Sequence, residues 1–159
     1  MIESLNAIRS LGLARVFEDL YFGRDVPHGL QISMRYPGEF RTTSLVEWQP
    51  LTASGLVPIV DDGNFPEICL YDARRQRLVV KALEEPAERL REFVSWQQYL
   101  AHRLLAIADS GLSDPELIDV ANADGFARTA ELIALLDEMG NLTDREADVR
   151  AARFVRESE

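Results

Sequence analysis

At 159 residues the chain has the length of one domain, or of one domain with an appendage. A composition of 47% hydrophobic and 28% charged residues, with a single cysteine, excludes wholesale disorder, a collagen-like repeat and a disulfide scaffold. The net charge of −10 opposes nucleic-acid backbones and anionic membranes and favours basic partners, so neither nucleic-acid binding nor membrane binding is expected.

From the N-terminus, Ile2, Leu5 and Ile8, then Val16, Phe17, Leu20 and Tyr21, follow helical spacing and predict two short helices broken near Gly12. Residues 23 to 29, Gly-Arg-Asp-Val-Pro-His-Gly, read as a loop. Leu30, Ile32, Met34 and Tyr36 alternate with polar residues, which predicts a half-buried strand stopped by Pro37-Gly38. A second strand from about Phe40 to Trp48 is expected to form a hairpin with it. Three more apolar runs follow, Gly55 to Val60, Glu67 to Asp72 and Arg77 to Lys81. Polar turns separate them, as antiparallel strands require. After Pro86 the pattern changes to helical. Ser95 with Gln98, Ser113 with Glu116 and Thr143 with Glu146 have the spacing of capping boxes, and Leu132, Ile133, Leu135, Leu136 and Met139 form an apolar face ended by Gly140. That face is wide enough to need cover, from the rest of the chain or from a second copy, so monomer and homodimer both stay open.

These elements predict an α+β fold: a central, mostly antiparallel sheet with flanking helices and a C-terminal helical extension. The expected division is a sheet-containing domain over residues 1–110 and an acidic extension over 111–159, where 5 basic residues face 12 acidic ones. No stretch is apolar and long enough for a membrane span, and the first residues lack a basic, then apolar, secretory leader. A cytoplasmic location is therefore expected. Only one of the 17 basic residues, Lys81, is a lysine, a skew that points to a GC-rich bacterial coding sequence.

The sequence holds little catalytic vocabulary. His28 and His102 have no metal-ligand companion at a recognisable spacing, Cys69 alternates with Ile68 and Leu70 like a small buried hydrophobe, and no phosphate loop or nucleophile elbow is present. The one enzyme-like constellation is the acidic turn with Asp61, Asp62, Asn64, Glu67 and Asp72, whose oxygens suit a hard cation but whose spacing is not that of an EF-hand. Turn chemistry alone accounts for these residues, and hairpin turns present such side chains to solvent, where they can meet a partner. Trp48, at the end of a predicted strand, reads either as core or as a surface anchor. The candidate partner-binding residues are thus Asp61, Asp62, Asn64, Glu67 and Trp48, with no catalytic residue, no metal and no cofactor. The alternative is a small metal-dependent hydrolase centred on Asp61-Asp62, with Glu67 and His28.

One resemblance extends this reading. Gly55-Leu56-Val57-Pro58-Ile59-Val60-Asp61-Asp62-Gly63-Asn64 is followed by Glu67-Ile68-Cys69-Leu70-Tyr71-Asp72, then by Leu78-Val79-Val80 and by Phe93-Val94-Ser95-Trp96-Gln97-Gln98-Tyr99-Leu100. The order resembles that of the SUKH superfamily, which includes bacterial immunity proteins and a yeast regulator of cell-wall synthesis. It runs from a strand with Pro-Ile through an Asp/Gly/Asn turn, a strand ending in Leu-x-Asp and another strand to a serine-led helix. The similarity runs from about Gly55 to Leu105. It implies an α+β domain without catalytic residues that binds a protein partner, in the immunity case a cognate bacterial toxin, often one acting on nucleic acids.

Overall fold

A computed structural model describes residues 2–34, 55–61, 67–82 and 90–158. The fold is α+β: a four-stranded antiparallel sheet with helices before it and after it in sequence. The chain divides into two compact units, residues 1–94 and residues 95–159. The helix that begins beside Ser95 therefore groups with the C-terminal helices.

In the first unit, α1 (Ile2–Ser10) and α2 (Arg15–Tyr21) are separated at Gly12. Gly12 has φ +63, and its N–H reaches Arg9 O while Leu13 N–H reaches Ile8 O. This is a Schellman ending, in which a residue without Cβ takes the left-handed conformation at no steric cost. α3 (His28–Ser33) follows Pro27. It covers the first four residues of the strand that alternation predicted from Leu30 to Tyr36, of which residues 35 and 36 lie outside the described residues. Leu30 and Met34 are both 0% exposed, and Met34 N–H bonds Leu30 O. Residues 30 and 34 are two strand periods apart but also one helical turn apart, so the same apolar pattern serves a helix that buries both on one side. The expected second strand, Phe40 to Trp48, lies outside the described residues.

The sheet is a meander in the order β1 (Leu56–Asp61), β2 (Glu67–Asp72), β3 (Arg77–Ala82), β4 (Leu90–Phe93). The first three strands match the three expected after Gly55. β4 stands where the sequence had shown only the approach to a helix; at four residues it is too short for alternation to register. β1 carries Pro58, with the pairing register shifting between Pro58 and Val60. Proline cannot donate to a ladder and is tolerated beside such an irregularity at the end of a sheet. Ile68, Cys69 and Leu70 are buried in succession, as are Leu78, Val79 and Val80, so both faces of the central strands are covered. α1 packs against β1.

The second unit holds α4 (Trp96–Ala108), α5 (Asp114–Asp124), α6 (Thr129–Met139) and α7 (Asp144–Glu157). Contacts run α4–α5, α5–α6, α6–α7 and α7–α4, a closed ring of four helices. Leu100, Leu104, Ile107, Leu117, Val120 and Leu132 are nearly or wholly inaccessible within it. Of the wide apolar face expected on α6, Leu132 and Leu135 are buried and Ile133, Leu136 and Met139 are half-buried. The boxes at Ser113 and Thr143 form, with Glu116 and Glu146 accepting from the backbone N–H and hydroxyl of those residues. At Ser95 only half of the box forms. Ser95 Oγ accepts from Gln98 N–H, while the Gln98 side chain donates to Arg156 O at 3.1 Å. Among the described residues no helix is long and apolar enough to cross a membrane.

The β2–β3 hairpin turns through Ala73 to Gln76. Asp72 Oδ1 accepts from the N–H groups of Arg74 and Arg75, and Gln76 holds φ +53. A side chain with Cβ is strained there, and a β-branched one more so. Gln76→Val is accordingly expected to lower unfolding stability by about 1–2 kcal/mol, and Gln76→Gly to keep or raise it by up to ~1 kcal/mol, both read from urea denaturation.

Candidate functional site

The β1–β2–β3 register places Asp61 opposite Ile68, and Ile68 opposite Lys81. Directly opposed residues share a face, so Asp61 and Lys81 flank Ile68 on one row, their strands ~10 Å apart. Asp61 is 4% exposed and Lys81 9%. Asp61 was expected to be displayed by a turn; instead it completes a strand, because the ladder continues one residue past the apolar run. Glu67 opens β2 half-buried, and its Oε1 accepts from Arg91 Nη1 of β4 at 2.8 Å. Asp62, Asn64 and Trp48 lie outside the described residues. Asp72 is engaged in the hairpin turn.

Thus the two described members of the candidate set differ in environment: one carboxylate is inside the sheet unit and the other is tied to an arginine. His28 is exposed at the start of α3 and His102 half-buried on α4. Among the described residues no three of His, Cys, Asp and Glu converge where they could hold a metal ion. Cys69, 1% exposed, is in the sheet interior. Trp96 is half-buried and packs against Tyr99 with ring centroids 4.9 Å apart.

The helical unit carries a different arrangement of charge. Residues 95–159 hold 6 basic and 13 acidic side chains, a balance of −7. Asp109, Asp114, Asp119, Asp137, Asp144 and Asp148 are exposed and make no ion pair among the described residues. The glutamates are more committed. Glu131 binds Arg128, Glu138 binds Arg150, and Glu157 binds Arg153. The Arg128 guanidinium beside Glu131 holds that carboxyl below the usual range, and the hydroxyl and N–H of Thr143 do the same for Glu146. The free negative field therefore comes mainly from aspartates, whose short side chains on the helix surfaces do not reach the arginines.

Two polar clasps hold this unit. Gln97 Nε2 donates to Gly125 O and Gln97 Oε1 accepts from Ala127 N–H, both at 2.9 Å, so one amide bridges the α5–α6 corner to α4. At the chain end Ser158 is 0% exposed: its Oγ donates to Phe154 O at 2.8 Å and accepts from Arg128 Nη1, and its carbonyl accepts from Ser95 Oγ. Arg128 also lies over the Phe154 ring, 4.6 Å from its centroid. Neither clasp is legible in the sequence, since Gln97 and Ser158 belong to no motif.

Asp124, the last residue of α5, is 1% exposed, and neither carboxyl oxygen has a hydrogen-bond partner. Burial pushes this carboxyl well above the usual carboxylate range, and the nearby Arg103 guanidinium, itself 9% exposed, opposes the shift.

Compared with family models, with curated proteins and with solved structures, the chain matches none of them.

One outcome follows from this geometry and a second from the spacing of the acidic turn. Ser158→Ala removes both an acceptor of Arg128 and a donor to Phe154, and is expected to destabilise the fold by about 1–2 kcal/mol in urea unfolding. Calcium, magnesium or manganese is expected to leave the melting temperature unchanged; a site filled at ~100 times its Kd would add about 2.7 kcal/mol, a rise of several degrees.

Proposed function

We propose that this chain is a non-catalytic protein-binding module of the immunity type, acting in the cytoplasm, which neutralises a cognate bacterial toxin by occupying it. The resemblance in motif order between Gly55 and Leu105 supports the class. The observation that carries the reading is the set of exposed aspartates on the helical unit, within a balance of −7 over residues 95–159. A toxin that cleaves nucleic acid presents a basic surface to a polyanion. An acidic module complements that surface, and the long-range attraction raises the rate of encounter. The same field repels nucleic acid, so the favoured partner is a basic protein domain. Asp62, Asn64, Glu67 and Trp48 remain candidate contacts on the sheet unit, whereas the burial of Asp61 removes it from a solvent-facing contact surface.

Supporting interactions of this kind are individually weak. Exposed pairs contribute about 0–1 kcal/mol each, and their joint effect is on the association rate and its salt dependence. The test produces the protein encoded by the neighbouring gene, which the reading requires to be a toxin with a basic domain, with and without the full chain. The reading requires rescue of growth and a complex whose on-rate falls as salt rises. A variant with Asp119, Asp137 and Asp148 changed to Asn is expected to bind more slowly, with a melting temperature like the parent's. Absence of both rescue and complex would defeat the immunity reading. A complex whose on-rate is indifferent to salt and to the triple change would keep the binder and reject the acidic surface as its basis.

A further inference from the structure

The binding proposal makes no use of a buried acid whose oxygens lack hydrogen bonds, the carboxyl of Asp124. It sits at the C-terminal end of α5, where the helix dipole is negative and opposes a second negative charge. It is 1% exposed, and both oxygens lack a hydrogen-bond partner. Next in sequence is Gly125, in the left-handed conformation at φ +74, with Gly125 N–H bonded to Asn122 O and Phe126 N–H to Ala121 O. The corner that follows is held to α4 by the Gln97 amide, through Gly125 O and Ala127 N–H. Asp124 therefore lies immediately behind a corner fastened by a few hydrogen bonds.

Two helices pack on α5, α4 and α6. α4 supplies Arg103, the charged group acting on the carboxyl, with the half-buried His102 beside it in sequence and the exposed Asp109 at the end of the helix. The carboxylates of α6 (Glu131, Asp137, Glu138) are exposed, as are Asp114, Glu116 and Asp119 of α5 itself. Among the described residues Arg103 is the cation that acts on Asp124, and neither carboxyl oxygen receives a hydrogen bond.

We propose that Asp124 is a proton-operated latch of the helical unit: as the neutral acid it stays closed behind the α5–α6 corner, and on ionising it draws that corner open toward water. The reason is solvation. A neutral carboxyl without partners is tolerable in an apolar interior, whereas an ionised one is strongly disfavoured and is relieved by exposure. The sign follows from linkage. Asp124 binds its proton more tightly when folded, so the closed state is fully favoured below the ordinary carboxylate range, near pH 4. Its advantage is lost as pH rises from there through the higher folded value. The opening that results is local, confined to residues 125–128 and the Gln97 bonds.

The experiment is amide hydrogen exchange on the full chain, with rates corrected for intrinsic chemistry, together with the 13C resonance of the Asp124 carboxyl. In the parent, protection of the Phe126 and Ala127 amides is expected to fall as pH rises, by up to roughly tenfold per pH unit, over the interval in which Asp124 titrates. In Asp124→Asn the same amides are expected to keep a constant protection, and the variant's melting temperature to exceed the parent's at neutral pH and approach it in acid. Superimposable exchange profiles for parent and variant would overturn the latch. So would a parent carboxyl resonance that titrates in the ordinary range. That measurement and the parent's own exchange profile need no substitution, and they decide the matter even if the variant fails to fold.

Discussion

Burial of successive residues along β2 is the constraint from which the sheet unit follows. Ile68, Cys69 and Leu70 are each 1% exposed. Neighbours along a strand point to opposite faces, so three buried in a row demand cover on both sides of the sheet. A sheet solvated on one face would leave every second residue wet. The two-sided cover also explains why the row through Ile68 carries Asp61 and Lys81 inside rather than out. Once β2 is central and its register set, the residues facing Ile68 from the strands on either side are drawn into the same covered surface. An acid that local chemistry assigns to a turn thereby becomes part of the interior.

The helical unit solves a different problem. Four helices of 11 to 14 residues are each too short to be stable alone in water, so their persistence rests on the shared core of Leu100, Leu104, Ile107, Leu117, Val120 and Leu132. Apolar contact sets which faces meet but not how the ring ends. The ends are set by directional bonds: the Gln97 amide at the α5–α6 corner, and Ser158 with Ser95, Phe154 and Arg128 at the chain end. Each of these polar atoms is satisfied, as buried polar atoms ordinarily are. Asp124 departs from this rule with both of its carboxyl oxygens, and a buried acid placed so is where a folded chain holds a response to conditions.

Charge is distributed by side-chain length as much as by count. Glu131, Glu138 and Glu157 reach arginines and are neutralised locally, while the six surface aspartates stay exposed without an ion pair among the described residues. The outer field of the unit is therefore more negative than its ion-pair pattern conveys. A surface of that kind favours fast, salt-sensitive association with a basic protein, and the proposed function rests on that property.

The sequence by itself determined the features that arise from local pattern. The break at Gly12, the three strands from Gly55 to Lys81 with their turns, and the four C-terminal helices with boxes at Ser113 and Thr143 are all written in residues within a turn or a strand length of one another. The acidity of the last third was equally plain, because net charge needs no coordinates. Tertiary structure alone decided the rest. Leu30 and Met34 satisfied both a strand and a helix, and joint burial selected the helix. Leu90–Phe93 was too short to declare itself, and became a strand by pairing with β3. Asp61 left the candidate surface because a ladder extended by one residue. Gln97, Ser158 and Asp124 carried no signal at all. Their roles come from partners 28 to 63 positions away, or from having none, and such distances close only when the core does.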